Sequence, residues 1–377
     1  MSVYTQPSSI DARACGGYAK SFHSKGKRRI SPYFLLCAFP LSSWSICCSI
    51  YFRSSTLFSR FLFSLQSFVQ STLVMKSSLL LTIAAACAGA EAYWKGFNIG
   101  ANNPDGSCKS QADWETDFKT IASLPGAFTS ARLYASSDCN TLANAVPAAL
   151  KTGTTLLVGV WTEDSTHYED EKQALLAAVQ QYGHDWIISV SVGSEDLYRG
   201  DTDASTLASQ INDVRGMMWG LGAGSIEVGH VDTWTAWVDS ANTAVIEACD
   251  FLGMDGYPYF QDASIQDAND VFWTSVNNVR AVSQGRWVWL TESGWPVSGG
   301  NLGAAVPSVA NAQTYWWEVM CQTCMFRTLP EPVGCTSANP RAVREMHSFA
   351  YTLQDYTSSP SFGVVDKNLK PLYNLSC

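Results

Sequence analysis

Residues 287 to 296, WVWLTESGWP, set a charged Glu292 at the end of an otherwise apolar, aromatic run. A carboxylate taken out of water without a partner is costly, so an acidic residue in such a place is paired, hydrogen-bonded or functional. The stretch WIISVSVGSEDLYRG, 186 to 200, raises the same question, because its β-rich apolar run ends in Gly193, Ser194 and Glu195. Two carboxylates facing each other across an aromatic-lined groove suit cleavage of a glycosidic bond. One protonates the leaving oxygen while the other meets the cationic transition state at the anomeric carbon. This chemistry needs no metal and no cofactor. A separation of about 5 Å gives a covalent intermediate and retention of configuration, whereas several Å more admits a water and gives inversion. The acid must keep its proton near neutrality, which an apolar surround and a second carboxylate both favour.

Such a pair works only if the chain brings it together. From residue 95 onward, short apolar runs alternate with segments of helical period. The expected strands are KGFNIGA at 95, FTSARLYA at 128, TTLLVGVW at 154, WIISVSVG at 186, SIEVGHVDTW at 225, FLGMDGYPYF at 251, RWVWLTE at 286 and MHSFAYTLQD at 346. Between them, DEKQALLAAVQQYG (170 to 183) and ASTLASQINDVRGMMWGLG (204 to 222) read as helices. Continuous apolar strands fit a parallel sheet buried on both faces, and about eight strand-helix units fit an α/β fold of the (β/α)8 TIM-barrel type in a single domain over 93–377. A doubly wound open sheet fits less well, since no Gly-rich phosphate loop follows the first strand. In a barrel the C-terminal strand ends carry the chemistry. Glu195 is expected to end the fourth strand and Glu292 the seventh, on opposite sides of one mouth.

The 377 residues are 46% hydrophobic and 15% charged, which excludes a disordered chain. From residue 93 on there are fifteen Lys and Arg against thirty-one Asp and Glu. A surface so acidic repels phosphates, so nucleic acid is not an expected partner. Residues 75 to 92, MKSSLLLTIAAACAGAEA, have the Lys, apolar run and small-x-small ending of a secretory signal, and imply secretion with maturation near Tyr93. Translation is then expected to start at Met75, leaving 1–74 as a non-native extension. The alternative is a membrane anchor in the apolar run 30 to 52 behind KGKRR, which Pro32, Pro40 and scattered serines weaken. Seven cysteines follow residue 92, so in an oxidising compartment most should pair and at least one stays free. CQTC at 321 to 324 is expected to staple C-terminal loops rather than to bind zinc. The tail PLYNLSC, with its sequon at Asn374, lacks the apolar extension of a lipid anchor signal.

The segments SVGSEDLYRG, VGHVDTW, DGYPYF and WLTESGWP, in this order, resemble fungal members of glycoside hydrolase family 17, the endo-β-1,3-glucanases and β-1,3-glucanosyltransferases of the cell wall. The likeness runs over nearly all of residues 95 to 377. It implies Glu195 as acid/base, Glu292 as nucleophile, retention of configuration and Tyr257 beside the nucleophile. Ser194 departs from many members of the wider barrel superfamily, which place Asn before the acid, usually in contact with the sugar 2-hydroxyl; fungal wall-type members resemble this chain in carrying Ser. The implied partner is β-1,3-glucan, bound by a monomer in the wall or outside the cell. A wall protein that binds glucan without turnover is the alternative, although a pure binder has no need of two glutamates. A Schiff-base aldolase fails because no Lys ends an expected strand.

Other residues carry two readings. Trp295, Trp161 and Tyr134 offer flat faces with a polar handle and are expected as sugar platforms, Trp295 first. Asp232 and Asp255, near the ends of strands five and six, suit either substrate contacts or structural hydrogen bonds. Asp196 is expected to cap the next helix or face outward. Arg132 suits a pairing with a site carboxylate or a structural ion pair. His230 suits sugar binding or the core, and His167, His184 and His347 look too scattered for a metal. Of Trp316 and Trp317, at least one belongs in the core.

Overall fold

A computed structural model describes residues 93–126, 128–323 and 346–377. The leader expected at 75–92, the preceding 1–74, and Cys324 and Cys335 lie outside the described residues. Eight parallel strands, β1 (Lys95–Asn98), β2 (Ser130–Arg132), β3 (Thr155–Val160), β4 (Ile187–Ser194), β5 (Glu227–Thr233), β6 (Phe251–Asp255), β7 (Trp287–Glu292) and β8 (Ser348–Ala350), pair in sequence order and close into a barrel. Each falls inside a run expected to be a strand, except that β4 extends one residue further, to Ser194. Closure is direct: β1 pairs with β8 through Lys95 and Ser348, Gly96 and Phe349, and Phe97 and Ala350.

The interior is filled rather than hollow. Leu157, Phe251, Trp289 and Phe349 form a buried plug, with Phe251 and Trp289 stacked at 4.3 Å between centroids. Burying each such side chain stabilises the fold by about 2 kcal/mol. The plug requires neighbouring strands to leave room: a Cβ at Gly229 would lie 2.9 Å from the Phe251 ring. A second, larger apolar layer lies between the barrel and its helices and includes Phe97, Phe118, Val190, Val214, Leu252 and Phe272.

Both expected helices are present, with shifted ends. The first runs over Ser165–Tyr182 because Asp164 accepts hydrogen bonds from the Thr166 and His167 amides and starts it five residues earlier. The second, Ala204–Gly220, is capped in the same way by Asp203. Disulfides join Cys108 to Cys139 and Cys321 to Cys377, with Cα separations of 5.1 and 5.6 Å. The second staples the C-terminus to the short 3-10 turn Met320–Thr323 that follows the helix Val309–Glu318. There Trp316 is buried and Trp317 exposed, and their indole N–H groups donate to the carbonyls of Leu375 and Ser376. Cys249 keeps a free, buried thiol. Among the described residues, no helix is long and apolar enough to cross a membrane.

Candidate active site

Two β-bulges aim the two glutamates. Between β6 and β7 the register shifts, Met254 pairing with Leu290 but Asp255 with Glu292, so β7 carries one extra residue. Strict alternation from Trp289, in the plug, would turn Thr291 inward and Glu292 outward. The bulge instead lets Thr291 donate to Asp255 at 2.7 Å while Glu292 also faces the mouth. The β4–β5 register shifts as well, between Ser191 and Ser194. There Gly193 has φ 75°, and Glu195 follows at φ 58°, in the left-handed region that a Glu rarely adopts. A Cβ at Gly193 would fall 2.2 Å from the Asp196 carboxylate, so the turn requires glycine. Strain of this kind, about 1–3 kcal/mol, persists where the surroundings over-determine the backbone, as around functional groups. The Glu195 amide donating to the Val231 carbonyl at 2.8 Å is part of that restraint.

Glu195 and Glu292 line one cavity of about 510 Å³ at the C-terminal end of the barrel. Glu292 is buried and held from two sides. Arg132 Nη1 donates to its Oε1 at 2.5 Å, and Tyr257 Oη to its Oε2 at 2.8 Å. Arg132 has no exposed surface; it also donates to Asn98 Oδ1 at 2.8 Å and to Ser194 Oγ at 2.9 Å, and stacks over Tyr134. Burial works against the guanidinium charge, but Glu292 and Asp255 outweigh it and hold the group above its usual value. Asn98 in turn donates to the carbonyls of Thr291 and Ala350, tying the cation to β7 and β8. Of the two readings of Arg132, the structure gives the pairing with a site carboxylate.

Glu195 is differently placed. Among the described residues, its nearest cation is Arg199, 3.7 Å away. Partial burial first, then the charges of Glu292 and Asp232, push its pKa up from 4.5 to about 7, with Arg199 and Arg132 opposing. The site thus pairs an anchored carboxylate with a carboxyl that keeps its proton close to neutrality. Asp255, also in the cavity wall, is driven well above the usual carboxylate range, by burial and then by Glu292. Tyr257 is likewise raised far above the usual phenol range, which keeps it a donor to Glu292.

The remaining expected residues divide. Asp255 and Tyr257 line the cavity, and Ser194 lies buried next to it, accepting from Arg132. Tyr134 sits half-buried against the Arg132 guanidinium. Trp161, half-buried, packs under Arg199 at 5.4 Å and donates to Glu163. Trp295 corrects the expectation of a leading sugar platform: it is only 2% exposed, packs against Tyr259 and Tyr315, and donates to the Val306 carbonyl, because the chain after β7 folds back over the core. Asp232 is fully buried, accepting from His230 and from the amides of Leu197 and Thr233, so its carboxylate serves the fold. His230 is a core histidine, packed on Trp237 and also bonded to the Val192 carbonyl. Asp196 does not cap by its side chain; it is buried and accepts from Thr162. His167 is not isolated either, lying within 4.8 Å of ligand atoms on Asp138 and Glu171. The Glu171 carboxylate there already accepts from the amides of Ser136, Ser137 and Trp161.

Sequence reasoning missed most of the aromatic wall. Tyr257, Tyr351, Phe260 and Phe362 pack at 5.4 to 5.8 Å along one flank, edge to face except for the tilted pair Phe260 and Phe362, and Trp234 and Tyr198 complete the lining. A signal existed for two of them, since Trp234 closes the VGHVDTW segment and Tyr351 follows the last strand.

The family model for the BtgE/BtgC glycoside hydrolase domain matches residues 96–329. A probable glucan endo-1,3-β-glucosidase of Aspergillus fumigatus is 43% identical over 330 residues, covering 80% of this chain and 70% of the relative. A glucan 1,3-β-glucosidase of Saccharomyces cerevisiae is 38% identical over 237 residues, 60% of this chain and 75% of its own. In structure, the glycoside hydrolase family 17 β-1,3-glucanosyltransferase of Rhizomucor miehei matches with a TM-score of 0.63 at 25% identity, over 77% of this chain and 99% of that one. An active-site mutant of that enzyme, solved with laminaritriose, matches equally. Sequence, barrel and likenesses agree, and the chain belongs to the BtgE/BtgC glycoside hydrolases of family 17.

Proposed function

We propose that this glycoside hydrolase cleaves β-1,3-glucan with retention of configuration, Glu195 serving as acid/base and Glu292 as nucleophile. The observation that carries the assignment is the division of labour between the carboxyls: Glu195 keeps a proton up to about pH 7, whereas Glu292 accepts from Arg132 and Tyr257. In the first step Glu195 gives its proton to the glycosidic oxygen as the C–O bond breaks, and a Glu292 oxygen bonds the anomeric carbon. In the second, the Glu195 carboxylate takes a proton from the incoming hydroxyl, whose oxygen displaces Glu292 and restores both groups. Water as acceptor gives hydrolysis; a glucan hydroxyl gives transfer. The wall of Tyr257, Tyr351 and Trp234 presents apolar faces to sugar rings. The two disulfides suit the oxidising space outside the cell, where a monomer would meet the polymer.

The test is product analysis with a defined laminari-oligosaccharide. Shorter or longer products with retained configuration are expected, and Glu292→Gln should lower the rate by at least about 10³-fold. Full activity in that variant would remove Glu292 from the nucleophile's role.

A further inference from the structure

At the N-terminal end of the barrel, opposite the glutamates, β5, β6 and β7 begin around a second groove of about 670 Å³. Trp219 and Trp287 both line it, 68% and 48% exposed. Large aromatic side chains left this open beside one groove mark a binding surface rather than unused core. Both are mounted on regular elements, Trp219 in the last turn of the helix Ala204–Gly220 and Trp287 as the first residue of β7. A Cβ at Gly224 would lie 3.0 to 3.2 Å from Cδ2, Cε2 and Cγ of Trp219. The backbone at 224 therefore backs one face of the indole, and the opposite face is presented to solvent.

The polar groups around these rings select the ligand. Arg215 spends its guanidinium on Asp250, Asn212 and the carbonyls of Val228 and Ala248; Arg286 spends its own on Gln284 and the carbonyls of Cys249 and Glu247. With both cations so engaged, the groove is not built for an anion. Two flat apolar faces flanked by the amide of Gln284 and the carboxyl of Glu227 instead fit a neutral, polyhydroxylated ring with an apolar C–H face. We infer that this groove is a second carbohydrate site that holds a stretch of β-glucan. The identity of that glucan rests on the function proposed above. Because the groove lies on the far rim from the cleft, the strand it holds is not the strand being cut. It tethers the enzyme to the polymer network and raises the effective concentration of glucan at the cleft.

The test compares particulate β-1,3-glucan with a short soluble laminari-oligosaccharide. In a Glu292→Gln background, which binds without turnover, Trp219→Ala with Trp287→Ala should weaken retention on particles by about tenfold or more. In the active enzyme the same pair should slow the liberation of soluble sugar from particles while leaving kcat/KM on the oligosaccharide unchanged, and Tyr at both positions should restore most of the retention. Retention equal to the parent's, or Tyr variants no better than Ala, overturns the inference. An inactive parent whose retention still depends on the two tryptophans would refute the proposed function and leave the groove standing. An active parent whose retention ignores them would refute the groove alone.

Discussion

Replacing Glu195 by Gln should make the protein more stable at alkaline pH while abolishing its activity. The folded protein holds the Glu195 carboxyl at about 7 rather than 4.5. Its side chain is 27% exposed, so solvent screens only part of the effect. At about 1.4 kcal/mol per tenfold change in proton affinity, the rise corresponds to an upper value of about 3 kcal/mol. The sign follows from linkage: the fold favours the protonated form, so the contribution of Glu195 is fully present below pH 4.5 and is lost as pH rises through 7. Gln has no charge to bury. Urea denaturation of wild type and Glu195→Gln should therefore show a stability difference that grows by up to about 3 kcal/mol in favour of the variant between pH 4.5 and pH 8.5. The same ionisation should appear as the alkaline limb of kcat/KM in the wild type, falling near pH 7, because only the protonated form can donate to the leaving oxygen. A stability difference that stays constant over this range, with an alkaline limb far from 7, would refute the account of the acid.

Other perturbations separate groups that act in the cleft from groups that hold it. Tyr257→Phe deletes the 2.8 Å bond to Glu292 Oε2; a bond to a charged acceptor contributes about 1.5–3 kcal/mol, so urea denaturation should show a loss of up to that size, and kcat/KM of the folded variant should fall roughly ten- to a hundredfold. Arg132→Met leaves the Glu292 carboxylate buried without its cation, and urea denaturation should show a loss of about 3–5 kcal/mol together with loss of activity. Trp295→Ala opens a cavity beneath the loop after β7 and should cost about 3–5 kcal/mol by the same measurement, whereas the KM of the protein that remains folded should be close to the parent's.

The strands were legible because parallel strands buried on both faces read as unbroken apolar runs, and all eight lie within those runs apart from Ser194 at the end of β4. Glu195 and Glu292 were legible as acidic residues at the ends of two such runs. What a single sequence does not disclose is parity around a bulge. Simple alternation would turn Glu292 away from the mouth, yet the register shift in β7 admits it. Trp295 departs from its expected role for a related reason: a residue in a loop has no periodicity to assign it a face, and only the packing of Tyr259 and Tyr315 decides that it points inward. The aromatic wall is assembled from residues that follow four different strands, Tyr198 after β4, Trp234 after β5, Tyr257 after β6 and Tyr351 after β8, so no local pattern announces it. Parity also accounts for Asp232. It shares its strand face with His230, which packs outward on Trp237, while Val231 between them faces the position where a Gly253 side chain would stand. In a barrel strand without a bulge, a carboxylate two residues from a helix-facing histidine faces the helices too, and Asp232 accordingly accepts the Leu197 amide rather than opening to the cleft.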